Sequence, residues 1–246
     1  MTTQLPAESK PRGSAPVSPE PSAAAEAGLE TDPAAEADVL ADDEFGGPAA
    51  GAERPASSLV MGWLLLVGGL VGLVGSATLA IERVLLAGDP DYTPSCSFNP
   101  LLSCGQVMES WQASLFGFPN PFIGVGAFPV VMTIGVLLIA GLTLPRWMWV
   151  SFWGGTVLGA AFVTWLFTQS VYVIGALCPY CMVVWLAMIP MFVYTTGYVL
   201  SRGYVPAPAG LRRAVVGNRG LITVVWLLTI LIFIIVEFWD RWDLVF

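Results

Sequence analysis

The sequence predicts an all-α integral membrane protein: a four-helix transmembrane bundle, a fifth transmembrane helix, and a disordered N-terminal tail. Three observations carry this expectation. Of the 246 residues, 56% are hydrophobic and only 11% are charged, and the mean hydropathy is +0.73. A soluble domain needs more charge than that to cover its surface. The apolar residues gather in five segments of lipid-spanning length, and the acidic residues gather before the first of them.

Residues 1–58 contain eight prolines, eleven of the eighteen acids and three of the ten basic residues. The segment has too few large apolar residues to offset the entropy of ordering, which predicts disorder. It lacks the basic start and early apolar run of a signal peptide. The net charge of −8 belongs to this tail, because the remainder balances at seven acids and seven basic residues.

The five apolar segments run from about Leu59 to Ile81, Pro121 to Leu144, Trp147 to Val173, Leu177 to Leu200 and Leu221 to Phe238. Each reaches or approaches the ~20 residues that carry a helix across ~30 Å of hydrocarbon. Barrel strands would be about half as long and would alternate in polarity. Only a tight turn near Gly175 separates the third segment from the fourth, so these two form a hairpin. The domains expected are a cytoplasmic tail at 1–58, a four-helix catalytic domain at 59–200 with an extracytoplasmic loop at 82–120, a cytoplasmic loop at 201–220, and a fifth helix with a short outer C-terminus at 221–246.

Orientation follows from the basic residues, which favour the cytoplasmic side. With the N-terminus inside, Lys10, Arg12, Arg54, Arg146, Arg202, Arg212, Arg213 and Arg219 are cytoplasmic. Only Arg83 and Arg241 lie outside. This orientation places the protein in the plasma membrane with all four cysteines on the outer side.

The chain contains no histidine. Ser-His-Asp and Cys-His catalysis are therefore excluded, as are histidine-rich metal or haem sites. No basic patch with interleaved aromatics favours nucleic acid. The chemistry falls to the cysteines. Cys96 and Cys104 are spaced C-x7-C in the outer loop, and Cys178 and Cys181 form C-P-Y-C at the outer end of the fourth helix. The outer compartment permits disulfides. Three residues separate the second pair, so its sulfurs lie one helical turn apart, with Cys181 about 4.5 Å deeper. At a helix start, unpaired N–H groups and the dipole favour a thiolate at Cys178. A relay of thiol–disulfide exchange is the expected activity. Two static disulfides, or a soft-metal-binding membrane protein using the four thiolates, are the alternatives. Ionisable residues along an intramembrane path would favour transport, and the apolar segments have almost none.

The order of features resembles the vitamin K epoxide reductase family. That family has a loop pair of cysteines after the first transmembrane helix and a C-x-x-C in the fourth. The run CGQVMESWQASLFG, from Cys104 to Gly117, looks like the family's stretch after the second loop cysteine, with Val107, Ser110, Phe116 and Gly117 at matching spacings. Phe116, Gly117, Phe118 and Pro119 echo its F-G-apolar-P pattern. A DsbB-like protein would have the helix pair before the partner-facing pair, the reverse of the order here. The resemblance covers about residues 59–200. It implies a helical bundle around a quinone, partly covered by the outer loop. It implies that a DsbA-like thioredoxin-fold protein, separate because the chain stops at Phe246, is reoxidised. Cys96 would exchange with that partner, Cys104 would pass electrons to Cys178, and Cys181 would react with the quinone. Ser110, Phe116, Asn120 and Trp185 are the quinone contacts it suggests. Asn120-Pro121 also reads as a helix cap, and Trp185 stands where the vertebrate enzyme has a tyrosine. Nine arginines against one lysine, with abundant alanine, point to a GC-rich genome and hence to menaquinone. Vitamin K epoxide is not the expected physiological substrate.

Overall fold

A computed structural model describes residues 56–89 and 91–239 of the chain. The tail expected at 1–58 falls almost wholly outside the described residues, as do Arg241 and Trp242. Among the described residues the chain is helical, with no strand beyond one isolated bridge. The helices are α1 (Ala56–Gly88), the short α2 (Cys104–Glu109), α3 (Pro121–Ala140), α4 (Arg146–Gln169), α5 (Pro179–Ser201) and α6 (Ala209–Glu237). A 3₁₀ turn at Trp111–Ser114 follows α2, and a π turn at Ser170–Ile174 extends α4. All of these except α2 are long and apolar enough to cross a membrane, five in total.

Local sequence explains where the helices begin and end. Pro121 and Pro179 start α3 and α5, where a missing backbone N–H costs nothing. Gly141, at φ 90°, closes α3 with a left-handed cap that only glycine adopts freely. Gly175, at φ 70°, makes the tight turn after the π turn that the short spacing requires.

Two boundaries differ most from the sequence expectation. The first helix continues past Ile81 to Gly88, because Glu82 turns inward and finds partners in the outer loop. The fifth spanning helix starts at Ala209 rather than Leu221, taking Arg212, Arg213 and Arg219 into its first turns. Asn218, at φ −116° and ψ 20°, breaks the helical geometry between this basic part and the apolar part.

The central element is α5, which packs against α1, α4 and α6. Its membrane-spanning window is 56% buried within the protein, against 6% for α6. The most extensive packing joins α1 to α3. Small residues let the two backbones approach, as they do where lipid removes the hydrophobic drive between helices. A Cβ built on Gly135 would stand 2.8 Å from the Gly62 carbonyl oxygen and 2.8 Å from the Leu66 nitrogen. By contrast, α3 and α4 are joined by a short loop and do not pack along their lengths.

Candidate active site

The loop between α1 and α2 is built from side chains bonding to nearby backbone. Asn99 Oδ1 accepts from the Leu101 and Leu102 N–H groups at 3.0 and 2.7 Å. Ser97 Oγ accepts from Gly105 N–H at 3.3 Å, and Ser103 caps α2 by accepting from Gln106 N–H at 3.4 Å. At the start of the loop, Glu82 is a buried carboxylate, 6% exposed. It accepts from the Tyr92 hydroxyl at 2.8 Å, the Ser95 hydroxyl at 2.5 Å and the Ser95 N–H at 3.3 Å. The strap leading to Cys96 is thereby tied to the outer end of α1.

A parallel bridge brings this loop to the start of α5. Leu177 N–H donates to the Leu101 carbonyl at 2.8 Å, and Ser103 N–H donates to the Leu177 carbonyl at 3.0 Å. Cys104 and Cys178 follow the bridged residues Leu102 and Leu177 by two positions and one. Their sulfurs lie 3.2 Å apart across 74 residues of sequence. Cys104 is disulfide-bonded to Cys96, while Cys178 and Cys181 are free. Three of the four sulfurs, those of Cys96, Cys104 and Cys178, lie within 4.8 Å of one another. Two of these three are spent in a disulfide, which leaves one free thiol in the cluster and no set of several thiolate ligands there in this redox state.

Cys178 is the N-cap of α5, and its Sγ accepts from the Cys181 N–H at 3.4 Å. Hydrogen bonding from the Cys181 thiol, helped by the Cys181 and Tyr180 N–H groups, holds the Cys178 thiol below its ordinary range although burial pushes the other way. A lowered pKa makes Cys178 the more available thiolate of its pair. Thiol exchange requires a thiolate close to a disulfide sulfur, and Cys178 stands beside Cys104 in that relation. Cys96 is not open to solvent as a partner-facing residue of a loop is expected to be; it is 2% exposed.

Beneath the sulfurs lies an apolar cavity of about 580 Å³. Cys178 and Cys181 open onto it from α5, and Val107, Met108 and Gln112 form its outer roof. The roof is pinned in place: Gln112 Nε2 donates to Gln169 Oε1 at 3.2 Å, and Asn120 Nδ2 donates to the Gln112 carbonyl at 2.6 Å. Lower down, α3 contributes Ala127, Val131 and Ile134, and α4 contributes Phe152, Gly155 and Gly159. The cavity thus occupies the space between α3 and α4 where those helices fail to pack. Its volume and apolar lining, with a few polar groups, suit a flat aromatic ligand with a hydrocarbon tail.

Of the four contacts suggested for a quinone, three line this cavity and one does not. Trp185 lines it, buried and edge-on to Phe167. Ser110 lines it, with its hydroxyl donating to the Val107 carbonyl at 2.7 Å. Asn120 lines it and is 8% exposed, with its Oδ1 buried and unpartnered. An orphaned buried acceptor fits a ligand that brings a hydroxyl. Phe116 stands outside the wall, 56% exposed, its ring 5.6 Å from that of Phe162. Gly117, at φ 82°, turns the chain there and leaves Phe116 on the outer surface.

Two lining residues escaped the sequence reading. Gln112 looks like any polar residue of a loop, and only its pairing with Gln169 explains its burial. Arg83 registered only as one of two outer basic charges. Glu82 takes the strap, and Arg83 lines the cavity.

A family comparison matches residues 63–196 of the chain to the model of the vitamin K epoxide reductase family. No curated protein and no solved structure matches the chain. The matched region contains all four cysteines and spans α1 to α5 except for the start of α1 and the last turn of α5.

Proposed function

Because the chain belongs to the vitamin K epoxide reductase family, a family of membrane oxidoreductases, we propose that it forms disulfides outside the cytoplasm by passing electrons from a protein dithiol to a quinone. The observation that carries this reading is the 3.2 Å contact between Cys104 and Cys178, with the outer pair oxidised and the inner pair free.

The steps are successive exchanges. A thiolate of a separate, DsbA-like thioredoxin-fold partner attacks Cys96, which breaks the Cys96–Cys104 bond and releases Cys104 as a thiolate. The partner's second thiol resolves the mixed disulfide, so the partner leaves oxidised and Cys96 becomes a free thiol. Cys104 attacks Cys178 in a Cys178–Cys181 disulfide and releases Cys181. Cys96 then attacks Cys104, which re-forms the outer disulfide and leaves Cys178 and Cys181 as two thiols. That final state is the arrangement described above. Re-forming the Cys178–Cys181 bond releases two electrons and two protons to the acceptor in the cavity.

A quinone bound in the cavity would supply the electron sink, and menaquinone is the form we favour. Asn120, with its unpartnered Oδ1, would hold it as an acceptor, and Trp185 and Ser110 would bound the space around it. The unpacked side between α3 and α4 provides the lipid-facing opening for an isoprenoid tail. Since Cys96 is buried, the strap from Tyr92 to Ser97 lifts when the partner docks. The N-terminus lies in the cytoplasm, the membrane is the plasma membrane, and the four cysteines face outward.

Anaerobic mixing of the purified protein with a reduced thioredoxin-fold partner and menaquinone or ubiquinone tests the activity by following quinone reduction. In the same preparation Cys181→Ala should accumulate a Cys104–Cys178 disulfide and trap the partner on Cys96, whereas Cys96→Ala should abolish the trapped complex. If peptide mapping finds only Cys96–Cys104 in the Cys181 variant at every redox poise, the pairs do not communicate and the relay is wrong. A membrane-impermeant maleimide should label the reduced cysteines of intact cells; labelling only after the inner face is exposed would reverse the orientation.

A further inference from the structure

We propose that Arg83 is an anion-binding residue of the cavity, which holds the negative charge that reaches the acceptor's oxygen before its proton does. The proposal rests on the cavity being the quinone site and assigns a residue to it.

Among the residues lining the cavity, Arg83 is the one charged side chain. It shares a face of α1 with Ser76 and Leu79, at spacings of seven and four residues, and both of these also line the cavity. Its Nε is buried and has no hydrogen-bond partner. The neighbouring carboxylate, that of Glu82, lies about 100° round the helix from it. Glu82 uses its oxygens on Tyr92 and Ser95, in the strap on the other side. Burying a guanidinium donor without a partner is unfavourable, so such a group is tolerated where a ligand completes it.

The chemistry calls for a donor of this kind. As the Cys178–Cys181 bond forms, two electrons and two protons leave the thiols, and both carbonyl oxygens of the acceptor become hydroxyls. Charge arrives on an oxygen ahead of its proton, in an apolar space where an unneutralised anion is costly. A guanidinium does not give up its proton, so Arg83 contributes a fixed charge and a fixed donor and leaves proton delivery to the thiols. A pre-oriented donor aimed at developing charge in a low-dielectric site is among the largest catalytic effects a side chain supplies. Asn120 Oδ1, which can only accept, complements it.

The test compares binding of two small naphthoquinones to full-length protein in detergent, read by quenching of tryptophan fluorescence, since Trp185 lines the cavity. The first is 2-hydroxy-1,4-naphthoquinone, an anion at neutral pH, and the second is neutral 2-methyl-1,4-naphthoquinone. Wild type should favour the anion. Arg83→Gln should lower the anion-to-neutral affinity ratio about tenfold, and Arg83→Lys should restore most of it. A parallel single-turnover measurement should show dithiol oxidation by the neutral quinone slowed about ten- to a hundredfold in Arg83→Gln. An unchanged affinity ratio in Arg83→Gln, with both ligands still bound, overturns the proposal and leaves Arg83 as an anchor to lipid phosphate. If wild type binds neither naphthoquinone, the quinone reading itself falls and this proposal with it.

Discussion

Glycine has opposite uses on two sides of the same cavity. Along the seam between α1 and α3 it removes side chains so that backbones can touch: a Cβ on Gly72 would stand 2.3 Å from the Phe128 ring, and one on Gly135 would meet main-chain atoms of α1 at 2.8 Å. On α4, facing the unpacked gap, a Cβ on Gly155 would meet nothing within 4 Å. The first seam is closed and sets where α3 stands. The second is open and leaves room for something other than protein. The lesson is that a small residue in a membrane helix marks contact in one place and vacancy in another, and the opposing surface decides which.

The comparison breaks most readily at Gly135. Gly135→Leu should force α3 away from α1, because the obstructing atoms are backbone and cannot change rotamer. Overpacking of this kind costs about 1–3 kcal/mol, and we expect a lower thermal midpoint in detergent with loss of most quinone reduction. A fully active, equally stable variant would mean that the seam does not position the cavity wall.

Gly155→Leu should behave differently. The added side chain enters open space, and leucine is the better helix former by roughly 0.5–1 kcal/mol, so stability should not fall. Turnover of a long-tailed menaquinone should drop about tenfold through a raised KM, while a tail-less naphthoquinone should stay within about twofold. Equal losses with both acceptors would show that the gap is not the tail's opening.

The outer strap adds a third kind of contact, polar and releasable. Glu82→Gln removes the charge from hydrogen bonds to Tyr92 and Ser95, worth roughly 1–3 kcal/mol together at this buried site. Cys96 in the reduced protein should then react with a bulky maleimide several-fold faster, at an unchanged thermal midpoint for the bundle. No change in rate would mean that the strap opens by a route that bypasses Glu82.

The smallest effect concerns the tail. Deleting residues 1–56 should leave quinone reduction in detergent within about twofold of wild type, because a segment of this composition offers little apolar side-chain surface. A larger loss in a folded variant would assign the tail a role in the reaction.

Much of this protein was legible before any coordinates. Helix length and hydropathy are local properties, so the five spans could be read from composition in windows of about 20 residues. The N-cap place of Cys178 was legible for the same reason: a cysteine before Pro179 precedes a helix start, and the cap geometry follows from a few neighbours. Other features depend on partners distant in sequence. The Leu102–Leu177 bridge joins Cys104 to Cys178 across 74 residues, and no spacing within either motif encodes it. Phe116 matched a pattern yet faces outward because of the turn at Gly117, while Arg83 matched nothing and lines the cavity. Adjacent Glu82 and Arg83 diverge because side chains on a helix step by about 100°, so neighbours in the chain face different surroundings. The sequence by itself determined which segments are long and apolar enough to cross the membrane and where the two cysteine motifs fall. Only the tertiary structure decided which sulfurs meet, which cysteine is hidden and which basic side chain lines the cavity, because those depend on how the helices and loops stand against one another.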